Sequence, residues 1–275
     1  LEMIFLIILL VIYLLIKNKV LSLGGGTNIP GKTHLGNQVN TMIEPGKPIG
    51  YFYGYKMDGV FQTQEEINNY RGGPDNTIIM PTAEPGDLKF VDLNGDGKLG
   101  EEDRTMIGNP HPDFTFGLTL SGEYKGFDLS MFFQGSVGND ILNILKYDIY
   151  SGTGWYNAPK DIFDKFWTGP GSTNENFAIS ANSRDNLTMS EWYIENGSYV
   201  RLKNVTLGYT FPKQWVQKLT VQNLRLFVAA QNLFTITSYS GLDPELGNSN
   251  PAFMGIDMGW YPQARSFMVG LSLKL

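Results

Sequence analysis

From residue 267 to 275 every second residue is large and apolar (Phe267, Val269, Leu271, Leu273, Leu275), and Met268, Gly270, Ser272 and Lys274 lie between them. A period of two places the two sets on opposite faces of an extended strand. About nine to eleven such residues let a tilted strand cross a bilayer, one face in lipid and the other toward a wet interior. The edge of a soluble sandwich shows the same pattern once, so the decision rests on repetition.

Four further stretches repeat it. In 113–121, Phe114, Phe116, Leu118 and Leu120 oppose Thr115, Gly117 and Thr119. In 126–134, Phe127, Leu129, Met131 and Phe133 oppose Asp128, Ser130 and Gln134, with Phe132 as the exception. In 199–211, Val205, Leu207, Tyr209 and Phe211 oppose Thr206, Gly208 and Thr210; in 223–235, Leu224, Leu226, Val228 and Ala230 oppose Arg225, Phe227, Ala229 and Gln231. Each is longer than the ~5–6 residues typical of soluble sheets. A tight hairpin turn is expected at 123–126. Short connections (121–125, 212–222) alternate with long ones (135–198, 238–264), the arrangement of a membrane barrel with its long loops on one side. The expected fold class is all-β: part of a large antiparallel transmembrane β-barrel, about six to eight strands of it, with the barrel incomplete.

The remaining composition fits. Glycine (32), tyrosine (14) and phenylalanine (17) are abundant, and charged residues make up 17% of the 275. A mild excess of Asp+Glu (27) over Lys+Arg (21) gives no support for a nucleic-acid partner. The absence of cysteine removes disulfide scaffolds and thiolate metal sites.

The N-terminus departs from the pattern. Residues 3–16 (MIFLIILLVIYLLI) form a continuous apolar run, shorter than the ~20 residues of a spanning helix. It lacks a basic n-region and a small-residue cleavage site. Two readings stand: an apolar segment that is buried or anchored in a membrane, or a strand-coding stretch translated in a shifted frame. The domain expectation is therefore 1–16 as an atypical apolar segment and 17–275 as barrel with long extracellular loops.

One loop has ligand spacing. Residues 92–103 (DLNGDGKLGEED) offer side-chain oxygens at loop positions 1, 3 and 5 (Asp92, Asn94, Asp96) and a turn glycine at 6 (Gly97). The main-chain carbonyl of Lys98 falls at position 7, Gly100 leaves room for water at 9, and Asp103 closes the loop at 12. The expectation is a structural Ca2+ or similar ion; the alternative is an Asn-Gly/Asp-Gly turn cluster that binds nothing. No organic cofactor is expected. No nucleophile–base arrangement emerges either: the two histidines, His34 and His111, are far apart, so no enzymatic activity is expected.

Several motifs carry a family resemblance: YVRLKNVTLGYTFP at 199–212, GKPIGYFYGY at 46–55, GDLKFVDLNGDG at 86–97 and RTMIGNP at 104–110. YKGFDLS at 124–130, FQGSVGN at 133–139, AQNLF at 230–234 and the final strand add to them. Running in chain order from about residue 17 to 275, they resemble the C-terminal part of the SusC/RagA family of TonB-linked outer-membrane transporters of Bacteroidetes. The resemblance implies a plugged barrel of about 22 strands in outer-membrane lipid of a Gram-negative cell. It also implies a SusD-like surface lipoprotein over the mouth, energy from TonB through an N-terminal region, and an oligosaccharide or peptide substrate. Outer loops would then help form the substrate cavity, which nominates the aromatics of 135–198: Trp155, Tyr156, Trp167, Trp192 and Tyr193. Ordinary loop packing or an interfacial girdle is the other reading of each. A short amphipathic helix is expected at 161–167. Competing functional readings are a secreted or surface calcium-dependent carbohydrate-binding β-sandwich, a fragment tethered by residues 3–16, and a non-functional truncated remnant.

Overall fold

The computed structural model describes residues 6–32, 38–150, 156–179, 185–216, 221–247 and 250–274. Six long strands run in it: β1 (Leu6–Leu15), β2 (Phe114–Tyr124), β3 (Phe127–Val137), β4 (Tyr199–Thr210), β5 (Asn223–Thr237) and β6 (Ser266–Lys274). They form one sheet in chain order, each antiparallel to the next.

Register turns the sequence alternation into two faces. Leu9, Leu120, Met131, Val205, Ala230 and Phe267 align in one row across all six strands, and Ile7, Gly122, Leu129, Leu207, Val228 and Val269 in another. Between them runs a row of Ile8, Ser121, Ser130, Thr206, Ala229 and Met268 on the opposite face. The apolar face is uncovered: Phe267 and Val269 are 73% and 74% exposed. A β-sandwich buries that face against a second sheet. Here the wall is a single layer, so the sandwich alternative falls and the incomplete-barrel fold class stands.

β1 is the exception in composition. Opposite Ser121, Thr119, Gly117 and Thr115 of β2, on the face that is otherwise polar, it places Ile8, Leu10, Ile12 and Leu14. Its ten residues are all exposed, apolar on both faces, and form a strand. Among the described residues no helix is long and apolar enough to cross a membrane.

The connections obey the expected asymmetry. At one end, Lys125 and Gly126 join β2 to β3 with φ of 48° and 89°, a two-residue turn with both residues left-handed that matches strand twist. The 211–222 connection, with a short helix at Lys213–Val216, lies at the same end. At the other end lie three long connections: the first, 16–113, between β1 and β2, the second, 138–198, and the third, 238–265.

These long connections are folded rather than loose. A four-stranded sheet (Ile29–Lys32, Val39–Ile43, Tyr51–Tyr55, Arg104–Gly108) comes from the first. A three-stranded sheet unites the second and third: Asp140–Asn143 pairs antiparallel with Ile194–Asn196 and parallel with Ile256–Asp257. Their shared core contains Phe52, Phe61, Leu88, Phe90, Ile144, Phe177 and Tyr193. The expected amphipathic helix spans Ile162–Lys165, with Phe163 exposed and the following Phe166 buried.

A side chain at 126 would meet the Thr210 carbonyl at 2.8 Å in a left-handed backbone. Gly126→Val is expected to cost about 1–3 kcal/mol, read as a lowered melting temperature of the folded protein in detergent.

Candidate functional site

The site grows out of the end of the wall that carries the folded connections. A one-residue bulge at Lys203 lets Asn204 pair with Phe132 and Leu202 with Phe133. The slip places Arg201 in the row of Gln134 and Thr235, on the polar face. There Arg201, 3% exposed, donates from Nε to Thr235 Oγ1 (2.7 Å), from one terminal nitrogen to Glu245 Oε2 (2.6 Å) and from the other to Asp243 Oδ1 (2.5 Å). Lys203 Nζ donates to both Glu245 oxygens at 2.9 Å. The 238–265 connection is thereby pinned to the wall.

Asp243 is also held by the main chain, accepting from Gln263 N at 2.9 Å and Glu245 N at 2.9 Å. Burial pushes its carboxyl up, but the Gln263 amide and the Arg201 guanidinium outweigh burial and hold it below the ordinary value.

Three residues before Asp243 the same connection forms one side of a cavity of about 440 Å³. Its other sides are the helix Leu145–Tyr150, the helix Ile162–Lys165 with Phe166, and the strand carrying Glu195. Glu195 Oε1 accepts from Lys146 Nζ (3.0 Å), Asn143 Nδ2 (3.0 Å) and Ser240 Oγ (2.9 Å), and Oε2 accepts from Ser240 N (2.9 Å). Burial would raise this carboxyl; the Lys146 ammonium and the Ser240 bonds hold it below its usual range. Lys146 also donates to the Trp192 carbonyl (2.9 Å) and lies 5.0 Å above the Trp192 ring. Across the cavity, Asp161 accepts from Tyr150 (3.2 Å) and Lys165 (2.8 Å). Burial and the facing Asp161 push the Tyr150 hydroxyl up to about 12.

The aromatics nominated from sequence separate into different environments. Tyr193 is fully buried and Trp192 is 6% exposed, both inside the aromatic core with Phe166 and Phe177. Tyr193 offers no free ring face, because packing covers it on every side; Trp192 borders the cavity, its indole N–H donated to Asn176 at 3.0 Å. Trp167 is half-buried and donates to Gln62 Oε1 at 3.1 Å. Tyr156 is exposed, and Trp155 lies outside the described residues, as does His34. Asn143, Lys146, Tyr150, Asp161, Glu195 and Ser240 were not singled out from sequence. They sit on four separate segments, and only the Lys146/Tyr150 spacing along one helix face links any two of them.

In the 92–103 loop each nominated carboxylate or amide already holds main-chain N–H groups. Asp92 accepts from Gly95 and Gly97, Asn94 from Asp96, and Asp96 from Lys98, whose own carbonyl was the expected ligand. Asp103, fully buried, accepts from Leu93 (2.8 Å), Asn94 (3.2 Å) and Gly100 (2.7 Å). Among the described residues no three His, Cys, Asp or Glu side chains converge on one point.

A lipid-length antiparallel wall, short connections at one end and cored connections around a cavity at the other define a segment of an outer-membrane-type β-barrel. The TonB-dependent receptor P3 of Formosa agariphila is 37% identical over 272 residues, covering 94% of this chain and 26% of that protein. The TonB-dependent receptor SusC of Bacteroides thetaiotaomicron is 28% identical over 270 residues, covering 94% of this chain and 23% of that protein. The solved structure of the RagAB peptide transporter superposes with a TM-score of 0.72 at 21% identity, over 98% of this chain and 27% of that one. No protein-family model matches the chain. The chain belongs to the SusC/RagA family of TonB-dependent receptors and corresponds to their C-terminal part. It spans about a quarter of the length of the relatives it matches, which are receptors and transporters rather than enzymes.

Removing the guanidinium strands Asp243 in a dry site. Arg201→Ala is expected to cost about 3–5 kcal/mol and to expose 238–265 to limited proteolysis at neutral pH. Because the folded carboxyl of Asp243 lies below its ordinary 3.8, its stabilisation is fully present above that pH. It is lost as pH falls through the folded value. The wild-type connection is therefore expected to become protease-sensitive only on acidification below about 4.

Proposed function

We propose that the chain supplies the last stretch of wall and outer loops of an energised outer-membrane importer of oligosaccharides or peptides. A SusD-like lipoprotein caps its mouth, and TonB drives it through a region outside this chain. The observation that supports this best is the segregation of the connections. Every long one lies at the same end of the wall, where all three share a core and two of them, 138–198 and 238–265, enclose a cavity, while the opposite end has only short connections. Such an end suits solute capture outside the cell, and the uncovered apolar rows suit outer-membrane lipid. RagAB, whose structure resembles this fold, is described as a peptide transporter; that and the family leave both cargo classes within the proposal.

Disrupting the gene in its host is expected to abolish growth on one polymeric nutrient while leaving growth on its monomer intact. The tagged receptor is expected to co-purify with a surface lipoprotein. Growth unchanged on every polymer tested would remove the import reading.

Separately, we propose that the 92–103 loop takes a Ca2+ ion through Asp92, Asn94, Asp96 and Asp103 with main-chain carbonyls such as that of Lys98. The ligand spacing of 92–103 supports it; the ion would draw side-chain oxygens together in a loop its own amides already shape. Millimolar CaCl2 is expected to raise the melting temperature of chelator-treated protein by several degrees. An unchanged curve means that the backbone hydrogen bonds alone hold the loop.

A further inference from the structure

One glycine of the wall is not explained by its neighbours. Gly117, Gly135, Gly208 and Gly270 lie beneath Phe132, Phe116, the Asp128–Arg225 pair and Phe227 respectively, with no room for a side chain. Gly122 of β2 is outside the left-handed region, and a side chain there would meet only the Leu6 carbonyl, at 3.4 Å. Its row on the apolar face otherwise carries Ile7, Leu129, Leu207, Val228 and Val269. The gap at Gly122 is the floor of a groove of about 370 Å³ between Ile7 and Leu129. Leu120 and Met131 border one end of it, Tyr124 and Phe127 the other. The volume falls in the ~300–1,000 Å³ range of small-ligand sites.

The end nearer the turn carries a cation. Lys125 is exposed, and its ammonium lies 5.2 Å from the centroid of the Tyr124 ring that walls the groove. Among the described residues it forms no ion pair. The carboxylates of this end, Glu123 and Asp128, stand opposite one another on the polar face, and Asp128 is taken by Arg225. An apolar slot that ends at an unneutralised cation fits an amphiphile with an apolar chain and an anionic head. Depth agrees with this. Tyr124, Phe127 and Tyr209 align in one row at the strand ends, where aromatics sit at headgroup level. A lysine just beyond that row reaches the headgroups.

We propose that this groove seats one acyl chain of a phospholipid from the periplasmic leaflet, with the Lys125 ammonium on its phosphate. The proposal rests on the outer-membrane reading, in which the short connections face the periplasm. The lipid completes the apolar row at Gly122 and holds the β2–β3 turn at headgroup level. A second copy of the chain is disfavoured, because a two-fold contact centred on the groove sets two Lys125 ammoniums against each other.

Native mass spectrometry of the intact, delipidated receptor in detergent tests the seat. Phosphatidylglycerol is the probe, and diacylglycerol with the same chains is its phosphate-free counterpart. Gly122→Phe fills the groove. Lys125→Asn removes the cation and suits the left-handed backbone there, where φ is 48°. Val269→Phe enlarges an exposed residue of the same row away from the groove and serves as control. The expected result is one retained phosphatidylglycerol, its binding weakened roughly tenfold by Gly122→Phe and about fivefold by Lys125→Asn, and unchanged by Val269→Phe. Diacylglycerol binding is expected to respond to Gly122→Phe and not to Lys125→Asn, a contrast that reports on the phosphate even if Gly122→Phe fails to fold. Phosphatidylglycerol binding that neither groove variant weakens overturns the seat. A response to Gly122→Phe with none to Lys125→Asn overturns the phosphate contact. A lipid-free dimer that Gly122→Phe dissociates overturns the lipid in favour of a second copy. The leaflet is read separately: Lys125→Cys, in a chain that has no cysteine of its own, is expected to gain labelling by a membrane-impermeant maleimide only after the outer membrane is permeabilised. Labelling on intact cells overturns the periplasmic placement and the orientation assumed for import, while the mass spectra still decide the groove.

Discussion

Water cannot reach an amide inside a hydrocarbon slab, so each strand of the wall depends on its neighbour for every N–H and C=O it carries. β2 and β3 meet this with pairing from Phe114↔Val137 to Tyr124↔Phe127 without interruption. β5 and β6 pair from Asn223↔Lys274 to Gln231↔Ser266. Register follows from that continuity, and side-chain placement follows from register. The ladder breaks only at the Phe132/Phe133 step of β3 and the Leu202/Asn204 step of β4. Both breaks lie toward the end where the folded connections begin.

That break determines where two cations go. Strict alternation back from Phe211, Tyr209, Leu207 and Val205 puts Lys203 and Arg201 on the apolar side. The bulge at Lys203 inserts one residue, reverses the parity, and turns Arg201 toward Thr235, Asp243 and Glu245. Periodicity in the sequence could not show this, because a bulge leaves no mark on composition. The other irregularities also have physical reasons. Phe132, the exception in its strand, covers the backbone at Gly117, and Phe227 fills the space above Gly270. Asp128 and Arg225 meet across Gly208, where any side chain would collide with both. Glycine opposite a large or charged neighbour is how this inner face accommodates bulk.

The wall was therefore legible in outline. Its five alternating strands, the Lys125–Gly126 turn and the unequal connections follow from a period of two and from turn chemistry. The folded connections were not. Their strands run from two to five residues, too short for any period to register, and their core draws Phe52, Phe90, Tyr193 and Ile256 from three separate connections. For the same reason aromatic richness in 135–198 was a poor guide to a binding surface. Trp192 and Tyr193 are the bulk that core requires, and the polar groups around the cavity assemble only when 143–150, 161–166, 195 and 240–242 come together. The apolar run at the N-terminus resisted reading because its even composition hides which face is which; only pairing with β2 shows that Ile8, Leu10, Ile12 and Leu14 occupy the polar rows.

Anchor and cavity share one piece of chain. Ser240 binds Glu195 at the cavity, and Asp243, three residues on, binds Arg201 at the wall. Between them only Gly241 and Leu242 intervene, and Leu242 borders the cavity. Asp257 steadies the far part of the same connection, accepting from the Tyr239 hydroxyl at 2.6 Å and from the Gly259 and Trp260 amides. The cavity side formed by 240–242 is thus held between Glu195 and Arg201, two ion-paired groups on different elements. The ion pair at the β4 bulge therefore fixes, through Asp243, the short segment that places Leu242 at the cavity.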